Sequence, residues 1–433
     1  MFIGLDLGTT VYKSSLFNEN GMMLRSFNRE YPLIHQNTHI EQNADLWWDL
    51  TKEAISFVSR GYEHDIKALS ISSQGISVVP IDIHGKTLCN AVSWMDNRAS
   101  KECDDIETRF TDHDIYMKTG KHLNPAYTLP KIMWFRNNHP EVYEKAHKFL
   151  LPLDYLNFRL CGRAVTDYSM ASGTMLFNIT YKKWDNDLIR HSEIDTSKLP
   201  EVECMGTVLG KILPSVARDT GINENTLIVL GAQDQKIAAI GAGLNETNCA
   251  VSIGTSTAIT RFSNSFITKI KSPQFLFNET QFIIEESISI TGAVIKWLSG
   301  ILGGISYSEM DKLAENSVKR SNGVIFSTNK TNGLGITEMS ISTTKGEMVY
   351  ALYESIARKI KAVFPSDISH TILFGGGAKS EILCEIISEK IDTDIRIADN
   401  HETATLGAAI LASDKIIQPC KNKRFISKGE RNV

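Results

Sequence analysis

Cysteine is sparse and widely spaced in this sequence. Cys89, Cys103, Cys161, Cys204, Cys249, Cys384 and Cys420 are seven in 433 residues, and none forms a C-x-x-C pair. A disulfide framework or a structural zinc site needs clustered spacing, so isolated reduced thiols are expected. An excess of one charge is also lacking: 46 Lys+Arg against 50 Asp+Glu leave a net charge of -4. That balance gives no electrostatic footprint for nucleic acid. No apolar run approaches the roughly 18 residues of a membrane span. No basic segment, apolar run and cleavage site precede Phe2-Ile3-Gly4-Leu5-Asp6. The expectation is a soluble cytoplasmic protein with no nucleic-acid or membrane partner. Low-complexity segments and long linkers are missing as well. So are a G-x-x-x-x-G-K-[ST] loop and a G-x-G-x-x-G turn followed by a suitably placed acid, which removes the P-loop and dinucleotide readings.

What remains is an ordinary globular composition, 42% hydrophobic and 22% charged. At about 100–200 residues per domain the length suggests two or three units, large enough to fold without covalent staples. Phe2 to Leu7 and Val11 to Phe17 read as strands around the turn Gly8-Thr9-Thr10. Met22 to Tyr31 follows as a third. Leu46, Leu50, Ala54 and Val58 repeat every fourth residue and predict a helix over Asp45 to Ser59. Ile66 to Ser72 is the next strand, ending in Ser73-Gln74-Gly75. Helices are expected over Pro130 to Asn138 and Pro152 to Leu160, so the fold class is α/β.

The opening strand–turn–strand returns past mid-chain. Ala250-Val251-Ser252-Ile253 leads into Gly254-Thr255-Ser256, and Ala258 to Phe262 resumes as a strand, like a divergent internal repeat. The polar stretch Leu244-Asn245-Glu246-Thr247 is the expected boundary, dividing the chain into 1–244 and 245–433. The basic tail from Lys421 to Arg431 reads as a solvated terminus.

Three glycine-rich turns follow apolar strands: Gly8-Thr9-Thr10, Gly254-Thr255-Ser256 and Gly375-Gly376-Gly377. Successive N–H groups in such turns form anion-binding nests, and hydroxyls add donors. The third turn is expected at the N-terminus of a helix over Lys379 to Lys390, where it would face a phosphate or nucleotide. Asp6 lies inside an apolar strand, a costly place for a carboxylate unless it is paired or binds a cation. Two readings stand: a hydrogen bond to the following turn, or a Mg²⁺ contact beside phosphates gathered by Thr9 and Thr10. Asp234 ends the strand-and-turn run Ile228 to Gln233 and opens a helical stretch. It can cap that helix, or accept the proton of a substrate hydroxyl during phosphoryl transfer.

Taken together, these residues resemble the FGGY family of carbohydrate kinases over the chain to about Ser413. Asp6-Leu7-Gly8-Thr9-Thr10 is similar to the family's first phosphate loop. Trp94-Met95-Asp96-Asn97-Arg98 resembles its W-x-D-x-R segment, and Lys131 to Asn138 most of its first signature. Gly231-Ala232-Gln233-Asp234 resembles the catalytic G-x-x-D. Ser252 to Ser256 is similar to the second phosphate loop, and Phe374 to Ser380 to the adenosine-binding G-G-G-A-x-S.

The resemblance implies two actin-like, ribonuclease H-like domains with a nucleotide cleft between them. The first would hold sugar and phosphate, the second ATP. It implies ATP and Mg²⁺ as cofactors, Asp234 as general base and Asp6 as the metal contact. Gly8, Thr9, Thr10, Lys13, Gly254 and Thr255 would hold phosphates, and Gly375, Gly376, Gly377 and Ser380 the nucleoside. Gln74, Gly75, Ile76, Trp94, Asp96 and Arg98 would line the sugar site with Asp234. A small carbohydrate is the implied partner, and a homodimer is compatible with the pattern.

Departures bear on the substrate. Xylulokinase-like members carry Met-His after the strand-end Gln, and glycerol kinases Arg-Glu, whereas this chain has Gln74-Gly75-Ile76-Ser77. Ala126 also replaces the Tyr that glycerol kinases place there. A ketose such as xylulose or a related pentulose is the expected substrate. Another polyol, a hexulose or a sugar acid is the alternative, as is a non-catalytic actin/Hsp70-like nucleotide-binding protein. Glu338 stands where the second signature has Gly. The G-E-R-x-P stretch that usually follows Gly323 to Phe326 is missing, a shortening placed between Phe326 and Gly333 and after Ser413.

Overall fold

The computed structural model describes residues 1–288, 291–317, 320–329, 333–400 and 402–425. The chain divides into two compact units. The first takes Met1–Gly241, Phe262–Ile284 and Glu402–Pro419; the second takes Ala242–Arg261, Glu285–His401 and Cys420–Val433.

The sheet of the first unit runs in the order Val208–Lys211, Leu227–Gln233, Ala68–Ser73, Phe2–Leu7, Val11–Phe17, Met23–Glu30. Leu227–Gln233, Ala68–Ser73 and Phe2–Leu7 are mutually parallel, and the flanking strands are antiparallel to them. Alternation along Phe2–Leu7 separates two faces. Ile3, Leu5 and Leu7 are buried with Trp47, Leu50 and Ala54 of the helix Ala44–Ser59 and with Leu153 and Leu156 of the helix Pro152–Cys161.

The opposite face of that strand receives the helix Thr403–Ala412. A Cβ on Gly4 would stand 1.8 Å from Thr405 O, and one on Gly407 2.1 Å from Ile237 O of the helix Asp234–Ala242. The absence of side chains at these two glycines is what lets the helix lie so close to its neighbours. Residues 100–145 add a helical layer whose apolar side chains, Ile106, Phe110, Ile132 and Phe135 among them, form a separate cluster.

The second unit repeats this plan. Its strands follow the order Thr257–Ser263, Asn248–Ile253, His370–Phe374, Asp394–Ala398, Asn422–Arg424. The hairpin Asn248–Ile253/Thr257–Ser263 matches Phe2–Leu7/Val11–Phe17. The next two strands run parallel to it and the last is antiparallel, as in the first unit. The repeat visible in the sequence is therefore a repeat of topology. Helices Lys345–Val363 and Glu381–Lys390 bury Val349, Ile356, Leu383 and Ile387 against these strands.

One expectation changes. Asn422–Arg424, read as solvated tail, is an edge strand, held by Arg424 Nε at 3.0 Å from Asp394 Oδ1 as well as by its ladder. The tail from 426 to 431 lies outside the described residues. The strands Ile325–Asn329 and Gly333–Thr337 form a hairpin in the shortened region, whose connection at 330–332 also lies outside them. Glu338, where the resemblance expects Gly, has φ 59°, a conformation that favours glycine.

Candidate active site

Register brings the candidate residues of the first unit to one level. Ser73 is paired with both Leu7 and Gln233, so Gly8, Gln74 and Asp234 each leave the sheet at the carboxyl end of adjacent parallel strands. Neighbouring strands lie about 4.8 Å apart, which puts the three exits within about 10 Å of one another. Open α/β sheets bind ligands at such ends.

The turn after the first strand is held by its carbonyls. Gly8 O accepts the Tyr31 hydroxyl, Thr9 O accepts Gln42 Nε2 at 2.8 Å, and Thr10 O accepts Tyr31 N–H at 2.9 Å. With the carbonyls engaged, the turn offers donors, which is the polarity an anion requires.

Asp6 lies opposite Lys13 and Ser72 in the ladders. Its Oδ1 accepts the Ser72 hydroxyl at 2.7 Å, so the bond runs to the neighbouring strand and not to the following turn. Burial pushes its pKa up to about 6, against the pull of Ser72 and Lys13. Lys13 Nζ reaches Glu402 at 3.0 Å, at the head of the helix Thr403–Ala412. Among the described residues no group of three His, Cys, Asp or Glu side chains could hold a metal alone. A single carboxylate beside a turn that offers donors to an anion is the donor set of a hard divalent cation that takes its other ligands from a bound anion and water.

Asp234 opens the helix Asp234–Ala242, and its Oδ1 accepts the N–H of the adjacent Gln235 at 2.7 Å, a bond within the first turn and not the N–H two or three residues on that an N-cap takes. The strand before it is pinned where Gln233 N–H donates to Ser169 Oγ at 3.1 Å. Gly231 meets the strand Ala68–Ser73 at a register shift, and a Cβ there would stand 1.7 Å from Ile71 O.

The loop after Ala68–Ser73 is strained. Ser77 N–H closes on Gly75 O at 2.7 Å with Ile76 between them at φ 54°. That is the uncommon left-handed form of the three-residue turn, and β-branched residues rarely adopt it. Gly75 lies against the Gln233 side chain, whose Nε2 would be 3.3 Å from an added Cβ. Trp94, 41% exposed, donates its indole N–H to Thr9 Oγ1 at 2.9 Å.

Asp96 and Arg98 turn toward each other. Arg98 Nε and a terminal nitrogen meet the two Asp96 oxygens at 2.9 and 2.8 Å, and Glu41 takes Arg98 at 2.9 Å. Ile40 N–H donates to Asp96 Oδ2 at 2.6 Å. Burial works against the Asp96 charge, yet these bonds outweigh it and hold the carboxyl below its usual range. The Arg98 guanidinium also stacks 4.8 Å from the Trp134 ring. Lys131, fully buried, donates to Ser93 O at 2.7 Å and to Ala126 O; burial lowers its pKa to about 7.

In the second unit, Gly254 and Thr255 carbonyls accept Gly292 N–H at 3.0 Å and Thr291 N–H at 3.1 Å, which fixes the turn at the head of the helix Gly292–Ile301. The triglycine is packed beside it. A Cβ on Gly375, at φ 89°, would lie 2.9 Å from Ile253 O, and one on Gly377 2.2 Å from Ile253 Cγ2. The expected helix start is corrected. A 3₁₀ turn, Gly376–Lys379, intervenes, and the α-helix begins at Glu381 because Ser380 caps it by accepting Leu383 N–H at 3.2 Å. Ser380 also donates to Asp311 Oδ1 at 2.8 Å, so its hydroxyl is engaged twice within the protein.

Sequence reasoning missed Tyr31, Gln42, Ser72 and Glu402. Each is distant in sequence from the group it holds, and no local pattern marks it.

Two family models match the chain: the N-terminal domain of the FGGY family of carbohydrate kinases over residues 1–241, and its C-terminal domain over 249–414. A xylulose kinase of Bacillus subtilis (strain 168) is 29% identical over 441 residues, covering 95% of this chain and 87% of that protein. A gluconokinase of the same organism is 26% identical, covering 94% and 86%. Among solved structures, a ligand-bound xylulose kinase from Lactobacillus acidophilus superposes with TM-score 0.89 at 25% identity, covering 99% of this chain and 94% of that one. A gluconate kinase from the same species gives 0.90 at 25%, with the same coverage. A Plasmodium falciparum glycerol kinase with ADP gives 0.87 at 21% over 99% and 95%, a likeness of fold. Both halves match in order, and the chain belongs to the FGGY family of carbohydrate kinases.

Proposed function

We propose that this ATP-dependent carbohydrate kinase phosphorylates a neutral ketose, xylulose or a related pentulose, with Asp234 as general base. The observation that carries the reading is the shared level of Gly8, Gln74 and Asp234 at the ends of three parallel strands. It gathers a phosphate turn, a polar substrate loop and a carboxylate within one ligand's reach. In phosphoryl transfer the protein supplies positioning and charge stabilisation, and the base accepts the attacking hydroxyl's proton. Asp6 would hold Mg²⁺ together with phosphate oxygens and water, and the bound ion would offset charge on the phosphates. Thr9, Thr10, Gly254 and Thr255 fit the phosphates, and Gly375 to Gly377 the nucleoside. Asp96 and Arg98 are better suited to shaping the wall under Trp94, since each is engaged by the other.

Two paired cations nearby support a neutral sugar. Arg98 is matched by Asp96 and Glu41, and Lys13 by Glu402. A sugar acid such as the gluconate of the named relatives would bring a carboxylate to groups whose charge is already committed. A soluble cytoplasmic location fits the reading, and no described helix is long and apolar enough to cross a membrane.

The test is ADP release with Mg·ATP across ketoses, polyols and gluconate. Turnover is expected with at least one neutral ketose and its loss in Asp234→Ala. Silence across the panel despite ATP binding refutes the substrate reading, gluconate alone as substrate refutes neutrality, and undiminished turnover in Asp234→Ala refutes the base.

A further inference from the structure

A closed ring of hydrogen bonds joins the phosphate turn to the substrate loop. Thr9 O accepts Gln42 Nε2 at 2.8 Å, and Gln42 Oε1 accepts Gln74 Nε2 at 3.2 Å. From Gln74 the chain runs through Gly75 and the strained Ile76 to Ser77, whose Oγ accepts Trp94 N–H at 3.0 Å. The Trp94 indole returns to Thr9 Oγ1 at 2.9 Å. Gln42 is fully buried, and Gln74 is 2% exposed. The bonds leave no freedom in how Gln42 is turned: its nitrogen must face Thr9 O, a pure acceptor, so its oxygen faces Gln74. The Gln74 amide is oriented in turn and presents Oε1, a buried acceptor with no partner among the described residues. A buried acceptor left unpaired is costly and marks a place where a donor is missing.

We infer that Gln42 is a positioning residue that makes sugar binding and nucleotide binding interdependent. A sugar hydroxyl donating in the substrate loop fixes Gln74, the Gln42 amide follows, and the Thr9 carbonyl is held so that the turn's donors stay aimed at phosphate. The reverse holds by linkage, since two ligands that order one network assist each other equally. Coupling of this kind is typically about 5- to 150-fold in affinity. The ring is suited to it because it contains a strained residue and a missing donor, and so is not at its tightest without ligand.

The inference rests on the kinase reading, and the two are separable by experiment. The dissociation constant of Mg·AMPPNP is measured with and without D-xylulose, or whichever sugar of the panel turned over, alongside steady-state kinetics. Wild type is expected to bind AMPPNP about tenfold tighter with sugar present. Gln42→Met, similar in size and without the amide, should bring that ratio to within about twofold of unity and lower kcat more than it changes the sugar KM. Gln42→Glu, which keeps an acceptor for Gln74 but places a carboxylate against Thr9 O, should do the same. A loss of packing alone would change stability and leave the ratio in place. Should Gln42 variants fail to fold, Trp94→Phe cuts the ring at its exposed side and should lower the ratio by at least half. A wild-type ratio of one, or variants that keep the wild-type ratio, overturns the coupling. No turnover in wild type overturns the kinase reading instead.

Discussion

Gly231→Ala tests how the position of Asp234, the proposed general base, is built. The added Cβ would stand 1.7 Å from Ile71 O, 2.6 Å from Ile71 C and 3.0 Å from Ile71 N. All three are backbone atoms, so no side chain can swing away, and contacts between heavy atoms settle near 3.5 Å. The strands Leu227–Gln233 and Ala68–Ser73 would have to part by about 1.5–2 Å at the register shift between Val229 and Ala232. Overpacking a core typically costs 1–3 kcal/mol, and a backbone clash belongs at the top of that range, about 3 kcal/mol. For a unit of this size that is a fall of about 5 °C in Tm. Asp234 follows three residues later, at the head of the helix that continues the displaced strand, and a misplacement of about 1 Å at a reacting group costs about 100-fold. Calorimetry gives the first number. The second comes from kcat at 20 °C, where the variant remains folded. A Tm within 1 °C and a kcat within twofold of wild type would refute both the close approach and its role in aiming Asp234.

Further outcomes follow from the same structure. Gly376→Ala adds a Cβ with no atom within 4 Å, so Tm should stay within about 1 °C. The KM for ATP should rise if the nucleoside lies against this turn, and an unchanged KM would remove Gly376 from the nucleotide site. Gly377→Ala, meeting Ile253 Cγ2 at 2.2 Å, should lose stability, and an unchanged Tm would contradict the packing. Asp167, whose carboxylate caps Ser169 and Met170 N–H groups, has its pKa raised to about 6 by burial, which exceeds those bonds. The folded state therefore keeps a proton between pH 4 and 6 that the unfolded state has lost, and this group's contribution to stability declines across that window. Asp167→Asn should gain on wild type by about 2–3 kcal/mol between pH 4 and 7 in urea unfolding, and a constant difference would refute the shift.

Much of this was legible in the sequence because it is local. The hairpin around Gly8-Thr9-Thr10, its copy around Gly254-Thr255-Ser256, and the helix over Asp45 to Ser59 declare themselves by alternation, glycine and a four-residue repeat. The α/β duplication followed from the two hairpins. The triglycine misled for a local reason too: apolar spacing locates the face of Glu381–Lys390, but not which residue caps it, and Ser380 took that position. The rest is tertiary. Asp96 and Arg98 stand in a motif that is plain in sequence, but only the structure shows the guanidinium closing on its neighbour two residues away and on Glu41. Gln42 carries no signature, since its meaning lies in bonds to residues 33 positions before it and 32 after it. Gly4 reads as one more strand residue until Thr405, from the far end of the chain, is found against it.

That last approach bears on how the protein is made. A ribosome makes the strand Phe2–Leu7 well before the helix that covers its second face, Thr403–Ala412. Until residue 412 clears the exit tunnel, Gly4 and the face around it stay open to water and to other nascent chains. The amino-terminal unit therefore cannot finish folding in order of synthesis. It must wait through the translation of nearly the whole second unit, about 10–30 s at 5–20 residues per second. An early stop codon before the helix would leave a nearly complete first unit with one face bare, a substrate for chaperones and proteases and not a working half-enzyme.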